Sequence, residues 1–252
     1  MTGLLPLLKK EIMEQLRTYK LLIVACLFLF FGITTPVMLK YLPQILELAG
    51  TSGMDINFPP PTAIQSLAEY TSTIGQVGVF VAVLMAMGSI ANELKNGTAV
   101  ITLSKPVSRA AFVNAKLIAM SLTFLGSLAA GSLVCYGYTA WLIGKADVSA
   151  FVGQNLLLGL FLIFCLATTL MFSSLFKSPL AAGGIAIAAI VSQGIVSAIP
   201  RIGDYFPGKL LSWGNLLLAG DGKSYWLALG ITVGITITSI WLAQRWLKTK
   251  DF

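Results

Sequence analysis

The sequence predicts an all-α integral membrane protein with six transmembrane helices. Of its 252 residues, 56% are apolar and only 11% are charged, whereas about 25% of the residues in a soluble domain are charged. Six separate segments lack Asp, Glu, Lys and Arg, and each is close to the roughly 20 apolar residues that a helix needs to cross a bilayer. Only short connections separate these segments. We therefore expect one transmembrane domain over residues 1–252, in contact with the lipid bilayer.

The first predicted element is an amphipathic helix over residues 4–20, LLPLLKKEIMEQLRTYK. Apolar residues recur at helical spacing along one side of it: Leu8, Ile12, Leu16 and Tyr19. Charged residues occupy the other sides: Lys9, Lys10, Glu14 and Arg17. A basic amphipathic helix of this kind lies in the membrane interface. It would either anchor the first span or act as a lever along the cytoplasmic face.

The six spans follow in order. They are predicted over 21–39, 74–91, 117–143, 152–176, 180–199 and 225–243. The connection before the second span contains three prolines and then Thr62–Tyr70, which we expect to form a separate short helix. The connection over 200–224 is rich in Gly, Pro and Asp and is expected to fold back onto the membrane. Gly183, Gly184, Gly230 and Gly234 are small residues of the kind that allow close helix packing.

The distribution of basic residues predicts the orientation. Most of the 17 Lys and Arg residues lie in the N-terminal segment, the second-to-third connection, the fourth-to-fifth connection and the C-terminal segment. The positive-inside rule therefore places both termini of this multi-pass protein in the cytoplasm. The short, apolar external connections and the single-membrane topology favour a bacterial or archaeal cytoplasmic membrane. The same rule accounts for the net charge of +7, so nucleic acid is not an expected partner.

Several kinds of chemistry are disfavoured. The chain has no histidine, which excludes zinc–histidine sites and Ser-His-Asp triads. Cys26, Cys135 and Cys165 each lie in an apolar run and are interpreted as small buried hydrophobes. The fragment LLLAGDGKS resembles a phosphate loop but has Leu217 in place of the first glycine. We expect no catalytic residue, no metal site and no bound cofactor in this chain.

The predicted spans also contain no ionisable residue. Carriers that use ion gradients usually bury such residues at membrane depth, so a secondary carrier is disfavoured. If the protein moves a substrate uphill, its energy is expected to come from another chain.

The connection between the second and third spans is polar and basic, and residues 92–112 read NELKNGTAVITLSKPVSRAAF. Asn96–Gly97 is a typical helix stop and turn. The next residues suffice for one or two helical turns, which Pro106 ends because the residue before a proline avoids the helical region. Ser108 can cap the following helix, with Arg109 in its first turn. The pattern predicts a short helix beneath the membrane, within residues 93–110.

The order of residues in this connection closely resembles the cytoplasmic loop of ABC transporter permeases of the type-2 exporter class. There the loop reads E-x-x-x-G-T, some apolar residues, L-[ST]-x-P-[VL]-[ST]-R and an aliphatic run to a Lys. The matching residues here are Glu93, Gly97, Thr98, Leu103, Ser104, Pro106, Val107, Ser108, Arg109 and Lys116. The predicted interface helix, six spans and cytoplasmic termini also resemble the layout of that family.

The resemblance implies a membrane subunit of an ATP-driven exporter. Two such subunits, identical or sister permeases, would dock on two separate ABC ATP-binding subunits that hold ATP and Mg²⁺. The short helix would be the coupling helix seated in the ATPase, and the interface helix would move with it. The residues implied in the ATPase contact are Glu93, Gly97, Thr98, Val100, Ile101, Leu103, Ser104, Pro106, Ser108 and Arg109. Those implied in the interface helix are Leu8, Ile12, Leu16 and Arg17.

Two other functions stay open at this point. The chain could be a stand-alone secondary carrier or channel that needs no ATPase, or a structural or assembly factor in a larger membrane complex. The sequence does not define the substrate. The absence of charged residues in the predicted spans favours an amphipathic or lipid-like cargo, a peptide or a drug over a small ion.

Overall fold

The computed structural model describes residues 3–48, 60–98 and 108–249. Every regular element in these ranges is helical, which confirms the predicted all-α fold. The helices of the first half are α1 (Leu4–Arg17), α2 (Lys20–Leu48), α3 (Ala63–Met87), α4 (Ala91–Lys95) and α5 (Arg109–Leu142). Those of the second half are α6 (Val148–Leu175), α7 (Pro179–Ser197), a 3-10 helix (Gly203–Tyr205), α8 (Lys209–Leu218) and α9 (Trp226–Thr249).

Six of these helices are long and apolar enough to cross a membrane: α2, α3, α5, α6, α7 and α9, with α4 continuing the second span. Two of them, α3 and α5, begin two helical turns or more before the predicted start. Thr62 accepts a hydrogen bond from the Gln65 amide at 3.2 Å and caps α3, so the expected separate helix Thr62–Tyr70 is wrong and its residues are the first turns of α3. Helix α5 begins at Arg109 rather than at residue 117.

The core is built around α6, the most buried of the candidate spans among the described residues. It packs against α3, α7, α8 and α9, while α2 packs along α5. The backbones of α2 and α5 touch at two glycines, because a Cβ on Gly32 would lie 2.6 Å from the Gly131 carbonyl oxygen. Phe28 and Phe124 meet edge to face beside this crossing, with ring centroids 5.9 Å apart.

The small residues of the last two spans differ in their packing. A Cβ on Gly183 would lie 2.7 Å from the Met87 sulfur, so α7 approaches α3 closely there. A Cβ added to Gly230 or to Gly234 would have no described atom within 4 Å of it. The prediction that this pair mediates close packing is therefore wrong for the described part of the chain.

The bundle has two distinct ends. The loop end carries α1, α4 and the first turns of α5. The far end carries the connections over 143–147 and 198–225. Within the latter, α8 folds back against α6 and α3. Leu217 lies in α8, and the exposed turn that follows it has Gly220 at a φ of 76°, in agreement with a loop rather than a phosphate-binding strand–loop–helix.

Candidate functional site

The residues on either side of the predicted coupling segment are described, and its middle is not. Glu93, Gly97 and Thr98 precede the gap, and Ser108 and Arg109 follow it. Val100, Ile101, Leu103, Ser104 and Pro106 lie outside the described residues. Helix α4 ends at Lys95, and Gly97 has a φ of 70°, a left-handed conformation that glycine adopts without strain. The predicted stop and turn at Asn96–Gly97 is thus confirmed.

The far side of the segment also follows the prediction. The Ser108 hydroxyl accepts a hydrogen bond from the Ala111 amide at 3.1 Å, which caps α5, and Arg109 is the first residue of the helix. Arg109 donates through Nη1 to the Leu247 carbonyl oxygen near the end of α9. The start of α5 is therefore attached to the last helix of the bundle.

On the near side, a short turn interrupts the helix between α3 and α4, and one buried hydroxyl holds this turn. Ser173 of α6 donates to the Met87 carbonyl oxygen at 2.8 Å. Its oxygen accepts from the amides of Ile90 and Ala91, at 3.1 Å and 3.0 Å. Because these backbone groups have lost their helical partners at the turn, Ser173 satisfies them and fixes the direction of α4.

The centre of the site is a buried ion cluster at the loop end. Lys116 is 2% exposed. Its Nζ donates to Oε1 of Glu11 at 2.9 Å and to Oε1 of Glu93 at 2.7 Å. Lys10 Nζ lies 3.5 Å and 3.8 Å from the same two oxygens. The cluster therefore balances two positive and two negative groups and joins α1, α4 and α5.

The side chains of Lys116, Glu11 and Glu93 are 2%, 9% and 16% exposed, whereas Lys10 is 46% exposed. The cost of separating the first three charges is therefore high. Removing one partner of a buried ion pair costs about 3–5 kcal/mol, since it leaves an uncompensated charge behind. Lys116 also lies 5.1 Å from the centre of the Phe112 ring. The second oxygen of Glu93 is buried and has no hydrogen-bond partner among the described residues.

This cluster overturns one expectation. The sequence pattern predicts no ionisable residue inside a span, because the third span is predicted to start at residue 117. Helix α5 begins eight residues earlier, so Lys116 lies about two turns inside a helix. The chain does bury an ionisable group there, close to the loop end of that helix.

Helix α1 presents a different face to the protein from the one that its apolar residues suggested. Leu16 is 53% exposed, while Glu11 and Gln15 are buried. Gln15 accepts a hydrogen bond from the Thr123 hydroxyl of α5. The predicted apolar residues Leu8 and Ile12 are half-buried and Arg17 is exposed. The inward face of α1 thus combines the apolar Leu7 with the polar Glu11 and Gln15, and part of its apolar surface is directed outward.

The sequence analysis missed Glu11, Gln15 and Ser173. A usable signal existed for the first two, because Leu7, Glu11 and Gln15 recur every four residues and share one side of a helix. Nothing in the sequence near Ser173 indicated its role. Within the described ranges, no group of His, Cys, Asp or Glu could hold a metal ion. Cys135 and Cys165 are buried as predicted, but Cys26 is exposed.

Two comparisons with known proteins show what the chain is similar to. A family model described as "ABC-2 family transporter protein" matches residues 5–218. The chain is also 27% identical over 256 residues to the "Uncharacterized transmembrane protein YxlG" of Bacillus subtilis (strain 168), covering 98% of this chain and 99% of that protein. The residues matched by the family model span Glu11, Glu93 and Lys116 and both described ends of the predicted coupling segment.

Proposed function

The chain belongs to the ABC-2 family of transporter proteins, and from that premise we propose that it is the permease subunit of an ATP-driven exporter. It would pair with a second permease subunit, identical or sister, and dock on two separate ATP-binding subunits. The loop end and both termini would face the cytoplasm, in the cytoplasmic membrane. ATP and Mg²⁺ would be bound by the partner subunits, and this chain would be a transport subunit without enzymatic activity.

The observation that carries this proposal is the ion cluster at the base of the predicted coupling segment. Glu93 lies five residues before the gap in the described chain and Lys116 lies in the helix that follows it. Their contact at 2.7 Å, together with Glu11 of α1, joins the two sides of the segment to the interface helix. A force on the segment would therefore move α1, α4 and α5 together.

Two further contacts would extend this movement to the rest of the bundle. Ser173 connects the turn before Glu93 to α6, which is the central helix. Arg109 connects the start of α5 to α9. Rigid elements joined in this way favour a rigid-body change between two states over local deformation. An ATPase dimer that closes on ATP would bias that change without touching the substrate path.

Within this proposal, the predicted apolar contact with the ATPase is made by Val100, Ile101 and Leu103. Arg109 and Glu93 would set the register of the contact, because charged groups contribute more to the register of an interface than to its affinity. Oε1 of Glu93 already accepts a hydrogen bond from Lys116. We therefore assign Glu93 chiefly to holding the permease together beneath the segment, and the apolar residues to docking.

The first experiment separates docking from coupling. The protein is co-expressed with its candidate ATP-binding partner, purified in mild detergent and tested for co-elution. We expect Leu103→Asp to abolish co-elution, because it places a charge in the proposed apolar contact. The matched control is Lys223→Asp in the exposed far-end turn, which should co-elute like the wild type.

A second variant tests whether the ion cluster transmits movement from the coupling segment to α1 and α5. In the triple variant Glu11→Gln, Glu93→Gln, Lys116→Met, no deeply buried charge is left unpaired, because the remaining Lys10 is 46% exposed and is solvated, but the ionic connection is lost. We expect it to co-elute with the ATPase while the ATP-dependent change in distance between spin labels on α1 and α5 is reduced. If the folded wild-type protein binds no ATP-binding subunit, the proposal fails and a stand-alone carrier or channel takes its place.

A further inference from the structure

A cavity of about 180 Å³ lies near the far end, between α3, α6 and α8. It is separate from the ion cluster, whose residues do not line it. Six of its eight lining residues are polar, and none is ionisable. The lining consists of Thr71, Ser72, Gln76, Gln154, Leu158, Leu211, Ser212 and Asn215.

Gln154 and Thr71 are the buried polar residues of this cavity, at 2% and 4% exposure. Gln154 donates through Nε2 to the Thr71 hydroxyl oxygen and to Oδ1 of Asn215, both at 2.7 Å. Its Oε1 is buried and has no hydrogen-bond partner among the described residues. A buried acceptor left without a donor costs about 1–3 kcal/mol, so a donor that reaches this oxygen from the adjoining cavity would stabilise the structure.

The orientation of the Gln154 amide follows from its neighbour. The Thr71 hydroxyl donates to the carbonyl oxygens of Leu67 and Ala68, at 3.1 Å and 3.0 Å. With its only proton used there, Thr71 can offer Gln154 nothing but an acceptor. In this arrangement the NH₂ group of Gln154 faces Thr71 and the amide oxygen accepts no hydrogen bond from it.

Two glycines allow α8 to close one side of the cavity. A Cβ on Gly214 would lie 2.9 Å from Cγ of Gln154, and one on Gly75 would lie 3.4 Å from Leu211. Helix α8 consequently lies directly against Gln154 and brings Ser212 and Asn215 beside it. The cavity is thus a built feature of the packing of α8.

The size and chemistry of the lining define the occupant. Water takes about 30 Å³ per molecule in the liquid, so the cavity has room for much more than one water. A charged group at this position would have no counter-charge in the lining, and burying an unpaired charge in a membrane-spanning bundle is costly. Hydroxyl groups donate and accept together, which matches a lining of amides and hydroxyls interrupted by two leucines.

We propose that this cavity is a binding site for an uncharged, hydroxyl-bearing compound of the size of a small polyol. One hydroxyl of the compound donates to Oε1 of Gln154, others pair with Ser212 and Asn215, and its C–H surface lies against Leu158 and Leu211. The site would serve a permease or a stand-alone carrier equally, so it does not depend on an ATPase partner.

The test measures access to the cavity and its protection. Ser72→Cys is introduced into a Cys26→Ser background in lipid nanodiscs, and its modification by uncharged methyl methanethiosulfonate is timed with and without glycerol or erythritol. Ligand occupancy slows the reaction by 1 + [L]/Kd, which is about twofold when the polyol concentration equals its Kd. We expect this slowing at residue 72, and a slower reaction with charged methanethiosulfonates.

The matched control is Ser224→Cys in the exposed far-end turn, which reports any effect of the polyol on the reagent itself. Gln154→Met should keep the reaction at residue 72 but remove the protection. Ser212→Ala at the exposed rim provides a second variant if Gln154→Met fails to fold, and it should weaken the protection. Equal slowing at residues 72 and 224, protection that survives both variants, or no protection because the cavity holds only water would each overturn the proposal.

Discussion

The two ends of the bundle bury polar groups in opposite ways. At the loop end, Lys116 contacts Glu11 and Glu93 within 2.9 Å, and Lys10 completes a charge-balanced cluster. At the far end, the residues around Gln154 carry no charge, and one amide oxygen has no described partner. The first arrangement holds three helices to one another. The second arrangement leaves a cavity and an unpartnered amide oxygen that a ligand could occupy.

This difference separates mechanical from binding roles within one apolar chain. A cluster of paired charges resists separation, because each charge loses its counter-charge when the cluster opens. An uncharged cavity can exchange its contents at little electrostatic cost. The loop end is thus suited to transmit force, and the far end to receive a ligand.

The largest expected effect comes from breaking the loop-end cluster. Lys116→Met leaves two buried carboxylates without their main cation, and we expect the free energy of unfolding to fall by about 3–5 kcal/mol. Denaturant unfolding in detergent, followed by tryptophan fluorescence, measures this change.

Two controls test whether unpaired buried charge causes the loss of stability in Lys116→Met. Lys145→Met removes an exposed lysine and should leave the stability nearly unchanged. Neutralising Glu11 and Glu93 together with Lys116→Met should restore most of the loss, because the only charge left without its partners is that of Lys10, which is 46% exposed. A single variant as stable as the wild type would contradict the description of the cluster as a mechanical joint.

A smaller effect is expected at the turn between α3 and α4. Ser173→Ala removes three hydrogen bonds and leaves backbone groups of Met87, Ile90 and Ala91 unsatisfied, which should cost about 1–3 kcal/mol. The same unfolding measurement applies. Ser192→Ala is the matched control, since the Ser192 hydroxyl is exposed and bonds only within its own helix in the described contacts. Equal stability of the two variants would argue against a fixed turn at this end.

At the far end, Gly214→Ala tests whether α8 needs its close approach to Gln154. The added methyl group would meet Cγ of Gln154 at 2.9 Å, and overpacking of this kind costs about 1–3 kcal/mol. Gly230→Ala is the control, because a Cβ there meets no described atom within 4 Å. We expect only the first variant to lower the melting temperature and to reduce polyol protection at residue 72. Unchanged protection would show that the cavity does not depend on the position of α8.

The smallest effect concerns the exposed cap of α6 at the far end. Hydrogen bonds from the Ser149 hydroxyl and amide lower the pKa of Asp147. A lowered pKa in the folded state stabilises the protein above the unfolded pKa of about 3.9, and this contribution disappears as the pH falls through the folded pKa. The melting temperatures of the wild type and Asp147→Ala should therefore differ slightly at neutral pH and converge in acid. A constant difference across this range would contradict the assignment.

Local signals in the sequence predicted the parts of the fold that depend on neighbouring residues. The turn at Gly97 and the cap at Ser108 follow from the residues themselves, and both are observed. The six spans follow from composition. The start of α5 was placed too late, because a charged residue was treated as the boundary of a span although Lys116 is neutralised inside the bundle.

Contacts between distant residues could not be predicted in this way. Glu11 and Lys116 are 105 residues apart, and Ser173 lies 83 residues from Ile90. The amphipathic pattern of α1 located its apolar face, but it gave no reason for Glu11 and Gln15 to face the protein. That reason lies in the polar groups that α5 presents, which no local pattern in α1 contains.

The polar residues on the inner face of α1 also affect how the chain is made. Chains are synthesised at about 5–20 residues per second, so the 105 residues between Glu11 and Lys116 correspond to roughly 5–20 s of translation. During that interval the carboxylate of Glu11 lacks its main counter-charge, and α1 has only its outward apolar surface to hold it at the lipid boundary. Docking of the first helix is therefore a late step of biogenesis, completed only after the third span has been inserted.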